Sequence, residues 1–343
     1  MKAAVLEKIG APLTVADVEL GELPRGQVLV KILVSGMCGA QLQEIAGYKG
    51  NAKFVPHLLG HEGCGIVEKI GEDVTRVMPG DKVVMHWRKG EGIESDFPSY
   101  VYKGKKMSSG KVTTFSEYAI VSENRVTAVP QDTPDDLCAL LGCGLSTALA
   151  TVENDARVKA GEKVLIVGIG GLGACFIKAA KLAGAGAIVA VDIHDKDAAA
   201  RALGATHFVR AGSEMRSALH AVDIESFNVI IETSGNAGAI AETLTLLGDS
   251  GRYILVGQPK PGESVEIRNA VHLFGGEGKT IKATQGGGFR PSSDIPRYIE
   301  EYGSGRLDIE NLITHRTTLE KVNDALRLMR EGKANRIMID IWQ

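Results

Sequence analysis

The sequence predicts an α/β protein: a β-rich part interrupted by a doubly wound, parallel-sheet part. Three observations predict it. Short apolar or alternating runs bounded by glycine fill the first part of the chain. From residue 146 strand-like runs alternate with helix-length patterns, and near residue 290 that rhythm ends. Residues 1–145 and 290–343 are therefore expected to form one domain and residues 146–289 a second.

KAAVLEK, GQVLVKILVSG, GCGIVEKIG and GDKVVMHW read as the strands of the first part, punctuated by Pro-Gly and Gly-Glu pairs. In the second part the strand VLIVG (164–168) leads into the helical ACFIKAAKLAG, then into the strand AIVAVD (187–192). Helical DKDAAARALG follows, then the strands of FNVIIETSG and GRYILVG with a further helix between them. Such alternation means βαβ units and a parallel sheet covered on both faces. After residue 290, DIPRYIEEYGSG and LEKVNDALRLMREG read as helices and RIMIDIW as a closing strand.

Composition excludes several classes. The 343 residues are 44% hydrophobic with mean hydropathy +0.02, which fits a compact enzyme-sized protein rather than a disordered chain. Lys+Arg 39 against Asp+Glu 42 gives a net charge of -3, so no nucleic-acid surface is expected. Glu7 and Lys8 stand where a signal peptide would need its apolar core. The most apolar stretch is broken by Lys178, Lys181 and glycines, so no membrane association is expected. The 5 cysteines, an odd number at 38, 64, 138, 143 and 175, form no disulfide framework and point to a reduced, cytoplasmic protein.

VGIGGLG, residues 167 to 173, places Gly168, Gly170, Gly171 and Gly173 between a strand and a helix. Gly168 permits the tight turn, Gly170 lets the backbone approach a pyrophosphate, and Gly173 lets the helix pack close to the strand. The N–H groups of the helix N-terminus then stabilise the pyrophosphate. Asp192 ends the next strand, where its carboxylate accepts ribose hydroxyls and opposes the 2′-phosphate that distinguishes NADP from NAD. A helix N-cap near Asp195 is the other reading of Asp192. No arginine follows it directly, and Lys196 stands within reach of a ribose hydroxyl, so NAD(H) is the expected cofactor.

Cys38 lies in SGMCGAQ just after the strand VLVKILV, His61 and Glu62 lie in LLGHEGCG, and Cys143 lies in LLGCGLST. Two thiolates, an imidazole and a carboxylate make a donor set that suits zinc. Each donor also has a plainer reading: the cysteines as small buried hydrophobes, His61 as a core histidine.

Over nearly its full length the chain resembles the zinc-dependent medium-chain alcohol dehydrogenase superfamily. The matching segments are SGMCG, GHEGCGIVEKIGEDVTRVMPGDKV, LLGCGLST, KVLIVGIGGLG, VAVDIHDK, ETSG and ITHRTTLEKVNDALRLMREGKANR. The resemblance implies a GroES-like catalytic domain and a Rossmann-type cofactor domain. It implies that Cys38, His61 and Cys143 hold a catalytic zinc, with Glu62 able to approach or transiently ligate it. Leu172, Val256 and Arg336 join Gly168, Gly170, Gly171, Gly173, Asp192 and Lys196 as expected cofactor-binding residues. A homodimer or homotetramer acting on a small alcohol or carbonyl compound is expected.

Two departures from the family pattern stand out. The family's structural-zinc lobe carries four closely spaced cysteines, whereas the segment after GDKV here, VMHWRKGEGIESDFPSYVYKGKKMSSGKVTTF, has none, so one zinc and no structural zinc is expected. Two residues after the first zinc cysteine, where relatives place a serine or threonine that relays the alcohol proton, stands Ala40; next comes Gln41 instead of the frequent aspartate, and Gln43 replaces a relay histidine. His86, after GDKVVM, is a candidate base, with a loop histidine held by a backbone carbonyl as the other reading. Trp87 falls either in the pocket lining or in ordinary packing. Arg88, Lys89, Glu91, Glu94, Asp96, Tyr100 and Tyr102 make the loop polar, which leans toward a sugar, cyclitol or other polyol substrate if the loop is not simply solvated surface.

The leading expectation is thus hydride transfer between NAD(H) and an alcohol or ketone. A reductase of an activated C=C or C=N bond on the same fold is the alternative, because Ala40 removes a relay that such a reaction does not need. A non-catalytic nucleotide-binding protein comes last.

Overall fold

The computed structural model describes residues 1–107, 109–212 and 215–343. They divide into two units: Met1–Ser146 with Arg290–Ser304 and Ile313–Gln343, and Thr147–Phe289 with Gly305–Leu312.

The first unit is built on a seven-stranded sheet in the order Val126–Val129, Lys82–His86, Glu62–Ile70, Gln27–Met37, Arg336–Asp340, Ile313–Thr318, with Tyr118–Ser122 also paired to Gln27–Met37. Alternation in QVLVKILV sends Val28, Val30 and Ile32 into the core, each fully buried. Burying a side chain of this size contributes roughly 1.5–3 kcal/mol. The closing strand Arg336–Asp340 pairs with Gln27–Met37 through Ile337↔Met37, so the C-terminal segment completes the sheet that the N-terminal segment begins. Two three-stranded sheets accompany it, one of them formed by Glu19–Leu20, Tyr100–Tyr102 and Lys105–Met107.

The second unit holds a six-stranded, all-parallel sheet in the order His207–Arg210, Ala187–Asp192, Lys163–Val167, Phe227–Glu232, Leu247–Leu255, Thr280–Ala283. In chain order this is 3-2-1-4-5-6, the doubly wound arrangement with its crevice at the carboxyl ends of the strands. Val164, Leu165 and Ile166 are fully buried in succession, as a strand covered on both faces requires.

The sequence rhythm put all of residues 290–343 in the first domain, but Gly305–Leu312 belongs with the second unit. The reason is local: Asp308 pairs with the buried Lys178 and, at 3.6 Å, with Lys181, while Asn311 donates to the carbonyl of Ala202. Leu307 and Leu312 are buried alongside. Among the described residues no single helix is long and apolar enough to cross a membrane.

Candidate functional site

Strand pairing brings the metal donors together. Gln27–Met37 runs antiparallel to Glu62–Ile70 with Ser35 opposite Gly63, which sets the end of one strand beside the start of the other. Cys38 follows the first strand as N-cap of the helix Gly39–Ile45, and His61 immediately precedes the second strand. The helix Asp135–Leu141 packs on Glu62–Ile70 and delivers Cys143 just beyond its end. Ser35 and Thr114 hydroxyls, 2.7 Å apart, both point at the Glu62 carbonyl at 3.2 Å and pin this corner.

The ligand atoms of Cys38, His61 and Cys143 all lie within 4.8 Å of one another. That spacing fits a tetrahedral zinc at 2.0–2.3 Å from each donor, with a fourth position open. The protons of the group are shared. Hydrogen bonding from Cys143 holds the Cys38 thiol well below its ordinary value against the effect of burial, with His61 adding to it. Burial opposes a charged His61, but Cys38 outweighs burial and lifts the imidazole to about 9. Cys143, the donor to Cys38, is raised well above its ordinary value. Two sulfurs and an imidazole, which must give up their protons to ligate, are the donor set of a divalent-metal site.

Glu62, expected as an occasional ligand, is fully buried and paired with Arg336. Its oxygens accept from Arg336 Nη2 at 2.7 and 2.6 Å, and Oε2 accepts from the backbone N–H of Gly144 at 3.2 Å. A side chain at position 36 would strike the Glu62 carboxylate at 2.6 Å, and one at position 144 would strike the guanidinium at 2.6 Å, so the pair needs both glycines. Arg336 was expected on the cofactor. Its guanidinium is the buried counter-ion of Glu62 within the first unit.

The glycine signature of the second unit lies between Lys163–Val167 and the helix Gly171–Leu182, as a pyrophosphate turn requires. Gly168 has φ +86, which only glycine adopts at low cost, and a Cβ on Gly173 would lie 1.9 Å from the Gly168 carbonyl. A Cβ on Gly170 would meet nothing within 4 Å, and no side chain caps the helix, so the backbone at Gly170, Gly171 and Leu172 is open to a ligand phosphate. Asp192 ends its strand with the carboxylate accepting the N–H groups of Ile169 at 2.7 Å and His194 at 3.0 Å. It is not a helix cap, since the next helix begins at Asp197 with Lys196 as N-cap. Lys196 donates to the Ile169 carbonyl at 2.7 Å and stands 3.4 Å from Asp192, fastening the same turn. Val256 follows Leu247–Leu255 at the carboxyl edge of the sheet.

The family described as alcohol dehydrogenase GroES-like domain matches residues 24–131, and that described as zinc-binding dehydrogenase matches residues 171–303. Alcohol dehydrogenase 6 of Peromyscus maniculatus is 31% identical over 368 aligned positions, covering 98% of this chain and 97% of that protein. The chain belongs to the zinc-containing alcohol dehydrogenase family. Among solved structures it is similar to an alcohol dehydrogenase zinc-binding domain protein from Burkholderia ambifaria, at 27% identity and TM-score 0.91 over 100% of this chain and 99% of that one. It is also similar to benzyl alcohol dehydrogenase of Acinetobacter calcoaceticus, at 26% identity and TM-score 0.87 over 99% of each chain. It is an oxidoreductase, and its family uses zinc and NAD(P) on small-molecule alcohols.

Within this alcohol dehydrogenase, His86 does not sit as a base awaiting substrate. It is fully buried, with Nδ1 on the Arg88 carbonyl at 2.7 Å and Nε2 on the Thr127 hydroxyl at 2.9 Å. Burial drives its pKa down to about 4. These contacts are those of the other reading of His86, a loop histidine held by a backbone carbonyl. Trp87 is half-buried, and its carbonyl accepts from Arg125.

The cysteine-free lobe is held by charges. Glu94 accepts from Asn124 at 2.9 Å and from Arg125 at 3.1 and 3.2 Å, with Lys111 at 3.4 Å and Lys89 at 3.6 Å. Glu123 accepts the N–H groups of Thr75, Arg76 and Ile93 at 2.6 to 2.8 Å. Tyr100 is fully buried and its hydroxyl accepts from Ile120 N–H, while Tyr102 donates to Glu7. Of the polar side chains that suggested a polyol site, Lys89, Glu94, Tyr100 and Tyr102 are thus engaged with partners inside the first unit.

Sequence reasoning missed what Gln41 does. Its buried amide accepts from the Cys38 N–H at 2.8 Å and lies 2.7 Å from His61 Nδ1. The spacing of a cap residue and a Gln three positions later was the available signal. Thr233 was missed too; its hydroxyl reaches the carbonyls of Val167 and Gly168 at 3.0 and 2.9 Å and holds the glycine turn.

Proposed function

We propose that this alcohol dehydrogenase transfers hydride between NAD(H) and an alcohol–ketone or alcohol–aldehyde pair, with one zinc on Cys38, His61 and Cys143. The observation that carries the reading is the three-donor group, whose count and spacing leave a fourth position for substrate. Zinc there supplies Lewis-acid polarisation of the substrate oxygen, and nicotinamide supplies the hydride acceptor or donor. The chain's own part is to present two sulfurs and one imidazole, to fix that imidazole with Gln41, and to keep the Glu62 carboxylate paired with Arg336. Ala40 offers no hydroxyl and both His86 nitrogens are engaged, so the alcohol proton leaves through water or a substrate hydroxyl.

Asp192 at the end of Ala187–Asp192 supports NAD over NADP, because a carboxylate beside the ribose opposes a second phosphate. The absence of cysteine from residues 80–137 supports a single zinc. The side chains of the lobe give no support to a polyol over a simpler alcohol. A homo-oligomer is supported by Val271 and Phe274, exposed at 74% and 80%, and by the edge strand Thr280–Ala283, whose side chains are all exposed. Five free cysteines support a reduced, cytoplasmic setting.

Reduction of NAD⁺ by a panel of alcohols and polyols, followed for wild type, Cys143→Ser and His61→Ala, tests the reading. Turnover in the wild type that both variants lose is the expected result, and turnover indifferent to the ligands would remove zinc from the reaction. Ala40 specifically favours one second reading, reduction of an activated C=C or C=N bond. Oxidation of NADH by enones or imines, with no activity on alcohols, would select it.

A further inference from the structure

Glu232 is the last residue of the strand Phe227–Glu232 and is fully buried. Strand register sets it opposite Val167, the residue that precedes the glycine turn. On the other side of the same strand Val167 lies opposite Val191, next to Asp192, so two carboxylates flank the turn. Oε1 of Glu232 accepts the N–H groups of Ser234 at 2.8 Å and Gly235 at 3.0 Å, and it also takes the Ser234 hydroxyl. Backbone N–H groups can only donate, so the turn is built around the carboxylate form. Burial pushes the carboxyl up from its ordinary value, and the Ser234 and Gly235 donors oppose that rise. Unlike Glu62, which Arg336 neutralises, Glu232 has only uncharged partners among the described residues. A Cβ at position 257 would lie 2.7 Å from Oε2 and 2.2 Å from the Gly235 nitrogen, so that side of the carboxylate has no room for a counter-ion.

We propose that Glu232 determines which redox state of the cofactor the second unit favours, its buried negative charge selecting NAD⁺ over NADH. The inference rests on the reading of NAD(H) as the cofactor. A doubly wound sheet binds a dinucleotide across the point where strand order reverses, one mononucleotide to each half. That point lies between Lys163–Val167 and Phe227–Glu232. With Asp192 taking the adenosine ribose, the half that opens with Phe227–Glu232 is left to the nicotinamide nucleotide. The nicotinamide ring carries a positive charge when oxidised and none when reduced. An unneutralised carboxylate in the protein interior of that half therefore attracts one form and is indifferent to the other. Removing the charge should change the ratio of NAD⁺ to NADH affinity on the order of tenfold, the effect of one unit charge acting through protein rather than water.

The test is the affinity for NAD⁺ and for NADH, measured by calorimetry on the full-length wild type and Glu232→Gln. That change keeps the size of the side chain and removes its charge. The ratio of NAD⁺ to NADH affinity is expected to fall, whatever the turn loses in common for the two nucleotides. Glu232→Asp and Glu232→Asn give a second comparison, because both side chains accept an N–H two residues on and they differ in charge. Should Glu232→Gln fail to fold by circular dichroism, that pair carries the test, with the higher ratio expected in Glu232→Asp. An equal ratio in all folded forms would overturn the role of Glu232 while leaving the cofactor reading standing. Failure of the wild type to bind either nucleotide would overturn both.

Discussion

Arg336 Nη2 lies 2.7 and 2.6 Å from the two carboxylate oxygens of Glu62, a residue 274 positions away in the chain, and neither side chain is exposed by more than 2%. Desolvation of two charges is offset only while both are present, so this pair behaves as a unit. Arg336→Met is expected to lower stability by about 3–5 kcal/mol, because it strands a buried carboxylate. The double variant Glu62→Met/Arg336→Met should recover much of that loss. Urea unfolding of the single and double variants checks it; a double variant no more stable than Arg336→Met would show that the two residues act independently.

Glu94 gives a pH-dependent prediction. Burial raises its carboxyl, but Asn124 and Arg125 outweigh burial and hold it at about 2, against an ordinary 4.5. A folded-state pKa below the unfolded one contributes stability above the unfolded pKa, and that contribution is lost as pH falls through the folded pKa. Glu94→Gln is therefore expected to destabilise the protein at neutral pH by about 1 kcal/mol, a partly solvated pair being screened. The gap to wild type should close between pH 4.5 and 2. Thermal unfolding across that range checks this, and a gap independent of pH would mean that the lobe does not depend on the ion pairs.

His86→Asn should leave the pH profile of kcat/KM with its shape, because the imidazole is bonded to Arg88 and Thr127 and not to substrate. Its effect should fall on stability, at about 1–3 kcal/mol for the lost buried hydrogen bonds. Disappearance of an ionisation from the kinetic profile would return His86 to the reaction.

Asp192→Gly should weaken the preference for NAD over NADP, since it removes the charge that opposes the 2′-phosphate. It also removes the acceptor of the Ile169 and His194 N–H groups, so KM for NAD should rise as well. Kinetics with both cofactors decide it; unchanged selectivity would place the carboxylate away from the ribose.

The features read most fully from sequence are those whose causes are local. Strand, glycine turn and helix from Lys163 to Leu182 follow one another directly, and each glycine has its reason within a few residues or on the adjoining strand. The metal donors were visible as types but not as neighbours, because sheet register and the helix Asp135–Leu141 bring Cys143 to Cys38. The pairing of Glu62 with Arg336 was hidden for the same reason, the two lying on strands from opposite ends of the chain. His86 could not be judged without Thr127, which stands on the neighbouring strand Val126–Val129. Gly305–Leu312 changes units through Asp308 and Lys178, a pair that no periodicity records.

We propose a single zinc held by Cys38, His61 and Cys143 in an alcohol dehydrogenase whose lobe is fastened by charges. Elemental analysis of protein purified without added metal tests it most directly, run beside Cys143→Ser. One zinc per chain in the wild type, with most of it lost in the variant, is the predicted result. Two zincs per chain, or zinc content unchanged by Cys143→Ser, would contradict the account.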